Sequence, residues 1–237
     1  MGQNQMIKLT EILKEYTLNT TLNPNVWVNG KIKPKLLNAL LKVAQKFYKD
    51  LDITAPLKDI ILTGSSANYN WTKYSDIDLH LLIDFSNLSD PDISKKYFDS
   101  KKNEFNEKYD LKYKSQPIEV YVQDINEPHA ALGIYSLLNQ SWIKEPKRED
   151  IDIPDSEIDK KAQPLMDKID DLINDNATTI NDIKDLKSKI KQFRQTGLTN
   201  NGEYSLENLA FKKLRYNGYL EKLKDLEKEI EIKSFNL

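Results

Sequence analysis

The pattern that most restricts how this chain can fold is the alternation in residues 75–85, SDIDLHLLIDF. An extended segment with that order puts Asp76, Asp78 and His80 on one face and Ile77, Leu79 and Leu81 on the other. The apolar face can pack on helices. The opposite face is one that a hydrophobic core would not select, because two carboxylates a strand step apart repel each other unless cations lie between them. Residues 58–63, KDIILT, form a short apolar run rich in β-branched side chains that ends at Gly64, which predicts a buried strand just upstream. Residues 117–122, PIEVYV, predict a third strand, with Ile118, Val120 and Val122 on its apolar face and Glu119 on the other. If the second and third strands are neighbours, Glu119 completes a cluster of three carboxylates.

Around these strands the spacing predicts helices and turns. Residues 6–16 carry Ile7, Leu9, Ile12, Leu13 and Tyr16, the pattern of a short amphipathic helix. Asn23-Pro24-Asn25 and Asn29-Gly30 are turn chemistry. From Pro34 to about Lys49, Leu36, Leu37, Leu40, Leu41, Ala44, Phe47 and Tyr48 recur at helical spacing. Residues 65–71 fit a brief helix or turn, and residues 94–109 a charged helix with Tyr97, Phe98, Phe105 and Tyr109 on its buried side. A helical or mixed segment is expected around ALGIYSLLNQSWI.

The charges and two prolines of EPKREDIDIPDSE mark a boundary near residue 150. Beyond it, Leu165, Ile169, Leu172 and Ile173 predict one helix, and Ile180, Ile183, Leu186, Ile190 and Phe193 another. After a loop at TGLTNNGEY, a third runs through Leu206, Leu209, Leu214, Leu220, Leu223, Leu226 and Ile230. Pro164 limits where the first of these begins, and Gly218 weakens the last. The expected class is therefore α/β (α+β), in two domains. Residues 1–150 would hold a small mixed β-sheet with helices on one face, and residues 151–237 an α-helical domain.

Composition narrows the partners. The net charge of −2 provides no global field toward nucleic acid or an anionic membrane, so any nucleic-acid contact must come from a local patch. With no cysteine, disulfides and thiolate metal sites are excluded, and two histidines make a histidine-rich zinc site an unpromising reading. No stretch approaches the roughly 18 apolar residues of a membrane span. The polar start MGQNQ lacks a secretory apolar region, and a Met at position 6 does not support myristoylation. The expectation is a soluble, cytoplasmic protein.

Oxygen-rich clusters suit hard divalent cations, and Mg2+ typically takes one or two carboxylates together with water and substrate phosphates. A pair of such ions can bridge a triphosphate, activate an attacking hydroxyl and steady a departing pyrophosphate. Gly64 would let the backbone approach a phosphate, and Ser65 would offer a hydroxyl and an amide. These local residues fit nucleotidyl or phosphoryl transfer to a hydroxyl acceptor.

An apolar strand, Gly64-Ser65, ten residues, Asp76-Ile77-Asp78 and a later acid, Glu119, together resemble the nucleotidyltransferase superfamily with the DNA polymerase β-like fold, in its minimal form. The longer string LTGSSANYNWTKYSDIDLHLLIDF, with LNPNVWVNG ahead of it, also looks like nucleotidyltransferase-like proteins of large tailed phages, which would place the chain in a bacterial host's cytoplasm. The resemblance covers roughly residues 20–150. It implies Mg2+ or Mn2+ held by Asp76, Asp78 and Glu119, an NTP substrate contacted by Gly64 and Ser65, and catalysis by the three carboxylates. The family's acceptors are diverse: RNA ends, proteins, antibiotics and small metabolites.

Other readings of the residues stay open. His80 fits a structural or solvated side chain flanking the site. Tyr69, Trp71, Lys73 and Tyr74 fit base stacking and sheet-edge packing equally. Arg194, Lys212, Lys213 and Arg215 fit a solvated helix face better than a phosphate site. For the whole chain, the alternatives are a non-catalytic nucleotide-binding or protein-interaction module on the same fold, and a helical interaction protein whose GS and DxD are incidental.

Overall fold

The computed structural model describes residues 18–72, 75–128, 131–148 and 153–235. The predicted helix at residues 6–16, together with Lys73 and Tyr74, lies outside them. The described residues form two compact units divided between residues 150 and 151.

The first unit is built on a sheet. A hairpin of β1 (Trp27–Val28) and β2 (Lys31–Ile32) opens it, turning at Asn29 and Gly30 with φ of 49° and 72°. Both central residues in the left-handed region match the tight turn that Asn-Gly favours between twisted strands. Helix α1 (Pro34–Asp50) starts on Pro34, whose fixed φ suits a first turn, and buries Leu36, Leu37, Leu40, Ala44 and Phe47. Then come β3 (Leu57–Thr63), β4 (Ile77–Ile83), α2 (Pro91–Tyr109), β5 (Lys112–Tyr113) and β6 (Gln116–Asp124). A hairpin of β7 (Ile134–Ser136) and β8 (Ser141–Lys144) ends the unit.

The six-stranded sheet runs β5-β6-β4-β3-β7-β8. Strands β4 and β6 are parallel and the other pairs antiparallel, so the sheet is mixed. A parallel pair needs a long crossover, which α2 supplies. Its N-terminus is set by Asp90, whose side chain accepts from the Ile93 amide at 3.0 Å, and by Pro91, so the helix begins three residues before the predicted start. Helices α1 and α2 cover one face. Phe47, Phe98 and Phe105 meet Ile60, Leu62, Ile77, Leu79, Leu81, Ile118 and Val120 in a single core. At β6, Asn106 of α2 pairs with both backbone groups of Val120, accepting at 3.1 Å and donating at 3.4 Å. That contact ties the helix to the strand beyond the end of short β5.

The segment expected to be helical or mixed at ALGIYSLLNQSWI is the β7–β8 hairpin. Its residues Ile134, Tyr135 and Ser136 are all buried, with Tyr135 and Ser136 registered against Leu62 and Ile61 of β3. The free edge of β3 supplies backbone partners there, and tertiary pairing overrides local propensity.

The second unit is helical: α3 (Asp155–Asn174), α4 (Ile180–Asn201), α5 (Leu206–Tyr216) and α6 (Tyr219–Ser234). It departs from expectation at three places. First, Pro164 lies inside α3 rather than limiting its start. The residue is exposed, so the carbonyl that loses its amide partner can be hydrated, while Ile158, Ala162, Met166 and Ile169 keep the buried stripe continuous on both sides.

Second, most of TGLTNNGEY is helix rather than loop, because α4 continues to Asn201 and only Gly202–Tyr204, a 3-10 turn, connect it to α5. Gly197 is the reason a helix accommodates it: a Cβ there would stand 2.5 Å from Glu207 Cβ and 2.6 Å from Ser205 Oγ, so its absence lets the start of α5 pack close. Third, the last predicted helix is two helices parted by Gly218, whose φ of 75° breaks the helical path. Among the described residues no helix is long and apolar enough to cross a membrane.

Candidate active site

The sheet face away from α1 and α2 carries the acidic residues. In the β4–β6 register Asp78 stands opposite Glu119 and His80 opposite Tyr121. Alternation along each strand keeps Ile77, Leu79, Ile118 and Val120 in the core, so the polar residues point the other way. Asp76 immediately precedes β4, and its backbone carbonyl accepts from Ser66 Oγ at 2.6 Å.

Gly64 follows the last residue of β3, Thr63, which is itself registered against Asp78. Its φ is 71°, and a Cβ placed on it would fall 1.9 Å from Asp78 Oδ2. The glycine is thus required twice, by its backbone conformation and by its contact with a carboxylate. Residues Ser65–Ala67 form a single 3-10 turn after it.

That turn is anchored through side chains. Ser65 Oγ donates to Ser75 Oγ at 2.8 Å, and Ser75 Oγ also accepts from the Thr72 amide at 2.8 Å. The Trp27 indole donates to the Ser66 carbonyl at 2.7 Å from a buried position. Gln116, also buried, donates to the Ser75 carbonyl at 2.8 Å and accepts from Asn23 at 3.1 Å. Asn19 donates to the carbonyls of Tyr69 and Trp71. The Trp71 indole donates to the Thr21 carbonyl at 2.8 Å. Trp71 therefore braces the connection between β3 and β4.

Tyr121 is a residue that the sequence reading passed over. Its hydroxyl donates to Glu119 Oε2. Its ring lies 4.8 Å from that of His80, and the Lys102 ammonium stands 5.1 Å from the ring centre. Burial first, then the charge of Asp78 and the bond to Glu119, push the phenol far above its ordinary pKa, so it stays protonated and can donate. The signal was present: Glu119, Tyr121 and Gln123 alternate with the apolar residues of β6. His80 Nδ1 lies 2.7 Å from Gln123 Oε1, so His80 joins the polar face through partners on the neighbouring strand.

The structure thus packs Gly64 against Asp78 and registers Asp78 with Glu119, with Asp76 immediately before β4, where its charge also acts on the Tyr121 phenol, and Ser65 opening the turn after Gly64. Among the described residues no group of three or more His, Asp or Glu side chains is drawn close enough to hold a metal ion. The three carboxylates share a face without forming a closed ligand shell. In the helical unit, Lys213 pairs with Asp159, and Arg194 donates to Asn208 at 3.0 Å and lies 4.4 Å from the centre of the Phe211 ring.

A comparison with curated proteins finds no match. Among solved structures, the chain is similar to a spectinomycin adenyltransferase from Enterococcus faecialis, solved with ATP and spectinomycin. The two are 15% identical over 82% of this chain and 99% of that one, with a TM-score of 0.26, and at that superposition the likeness carries no argument. The family model of the nucleotidyltransferase domain matches residues 37–196, well over half of the chain and all of the β3–β4–β6 acidic face. With its mixed sheet, helices on one face and helical C-terminal region, the chain belongs to the nucleotidyltransferase domain family.

Proposed function

We propose that this protein transfers a nucleoside monophosphate from an NTP to a hydroxyl acceptor and releases pyrophosphate. The observation that carries the reading is the parallel register of Asp78 with Glu119 on the open sheet face, with Gly64 packed against Asp78. Two carboxylates directly opposite each other on neighbouring strands, with Asp76 one strand step away, are oxygen donors of the kind that hard divalent cations take. In this reading Asp76, Asp78 and Glu119 would hold Mg2+ or Mn2+ together with the substrate phosphates, which complete a ligand set that the carboxylates by themselves do not close. Such cations, when bound, would supply charge neutralisation for the phosphates and a lowered pKa for the acceptor hydroxyl.

The protein's own groups do the positioning. Gly64, without a side chain, lets the turn backbone lie directly against the Asp78 carboxylate, and the Ser65 backbone amide offers a donor to a phosphate beside it, while the Ser65 hydroxyl is engaged with Ser75. The bond from Trp27 anchors that turn at Ser66, and those from Gln116 and Asn19 anchor the rest of the β3–β4 connection at Ser75 and Trp71, so donors are oriented before substrate arrives. Residues 1–150 serve as the catalytic domain and residues 151–237 as a helical domain concerned with the acceptor.

The test is incubation with labelled NTPs, Mg2+ and candidate RNA, protein and small-molecule acceptors. Wild type is expected to transfer label, and Asp76→Ala combined with Asp78→Ala to abolish transfer. Transfer that persists in the double variant overturns the cation assignment. Metal-dependent NTP binding in calorimetry with no product from any acceptor favours instead a non-catalytic nucleotide-binding module.

A further inference from the structure

We propose that Tyr121 is a positioning residue for Glu119: its hydroxyl, bonded to one carboxylate oxygen, holds that carboxylate beside Asp78 and leaves the other oxygen for a divalent cation. The inference rests on the reading of Asp78 and Glu119 as cation ligands. Two features of the fold carry it.

The first is electrostatic. Glu119 and Asp78 are register partners on adjacent strands, so their like charges favour rotation of the longer glutamate side chain away from the site. A hydrogen bond donated to Oε2 opposes that rotation and gives the carboxylate one orientation before a cation is present.

The second is mechanical. The donor is the far end of a ring, with His80 at 4.8 Å from β4 and the Lys102 ammonium at 5.1 Å from α2. Helix α2 is in turn fixed to the same strand through Asn106 and the Val120 backbone. The hydroxyl is therefore presented by a braced arm rather than by a mobile side chain. Glu119 and Tyr121 lie two residues apart on one strand, so the pair moves as a unit with β6.

Tyr121→Phe tests this, because it keeps the ring and its neighbours and removes only the donor. With Mg2+ varied, the half-activating concentration is expected to rise about tenfold, in the range that loss of a group orienting a metal ligand produces. At saturating Mg2+, kcat should fall while KM for the NTP changes less than twofold. Tyr121→Leu, which also removes the ring, should show the same cation dependence together with a lower thermal midpoint.

Mn2+ binding followed by electron paramagnetic resonance reads the role without turnover. A wild type that binds Mn2+ but transfers no label removes the proposed reaction and leaves this test intact. An equal Mn2+ affinity in wild type and Tyr121→Phe overturns the positioning role, as does an unchanged Mg2+ dependence. A wild type that binds no Mn2+ overturns the cation reading and the role of Tyr121 with it.

Discussion

Gly64 lies so close against Asp78 that a single added methyl group would stand 1.9 Å from the carboxylate oxygen Oδ2. The contact links the turn after β3 to the acidic face of β4. It converts a sequence spacing of ten residues between Gly64-Ser65 and Asp76 into a physical adjacency.

Gly64→Ala should therefore damage the site more than the fold. Its φ of 71° strains any side-chain-bearing residue, and the methyl group must displace the Asp78 carboxylate. A stability loss of about 1–3 kcal/mol is expected from the backbone. Activity should fall on the order of 100-fold, the effect of an ångström-scale misplacement at a reacting centre. Urea denaturation and pyrophosphate release, measured on the same preparation, separate the two. Activity that tracks the folded fraction alone would contradict a role for the Gly64–Asp78 contact.

Gly218→Ala provides the contrasting case. Its φ of 75° is similar, but nothing lies within 4 Å of the added Cβ. Only left-handed backbone strain remains, about 1–2 kcal/mol. The thermal midpoint should drop modestly, with helical circular dichroism retained below the transition. A large loss of helix would mean that the break between α5 and α6 supports more than a change of direction.

Gln116→Leu should destabilise the first unit without touching a carboxylate. It leaves the Ser75 carbonyl and the Asn23 side-chain amide without their partner in a buried region. Each buried group left unpaired costs about 1–3 kcal/mol. Because Ser75 precedes Asp76, KM for the NTP should rise as well. A urea midpoint matching wild type would show that water or a rearranged loop replaces both bonds.

The cap of α4 gives a pH dependence of known sign. Thr179 donates to the Asp182 carboxylate from both its amide, at 2.9 Å, and its hydroxyl, at 2.6 Å, while the Asp182 amide donates back to Thr179 Oγ1. These bonds, the side-chain one foremost, hold the Asp182 pKa below the ordinary aspartate range. A depressed folded pKa contributes stability that is present above the unfolded value and lost as pH falls through the folded one. The difference in urea midpoint between wild type and Asp182→Asn should be present at neutral pH. It should shrink once pH drops below about 3.9, the unperturbed aspartate value. A difference independent of pH would show that the charge of Asp182 plays no part in the cap.

The facing of side chains was legible in the sequence because alternation is a local, two-residue property. Asp76-Ile77-Asp78 and Ile118-Glu119-Val120 each declared which face was apolar, and the core of Ile77, Leu79, Ile118 and Val120 follows that division. Pro34 and the recurring leucines after it likewise announced α1, since helical spacing and a first-turn proline are read within a few residues. Strand partnership is not local. Only the folded chain sets Glu119 opposite Asp78, places the Tyr121 hydroxyl on Glu119 and recruits residues 134–136 as a strand along β3. The same holds for Pro164, which α3 carries because a buried stripe continues past it, and for Gly197, which the helix tolerates because α5 packs closely there. In each case the deciding energy comes from groups far away in sequence, and packing and backbone pairing outweigh the local preference they oppose.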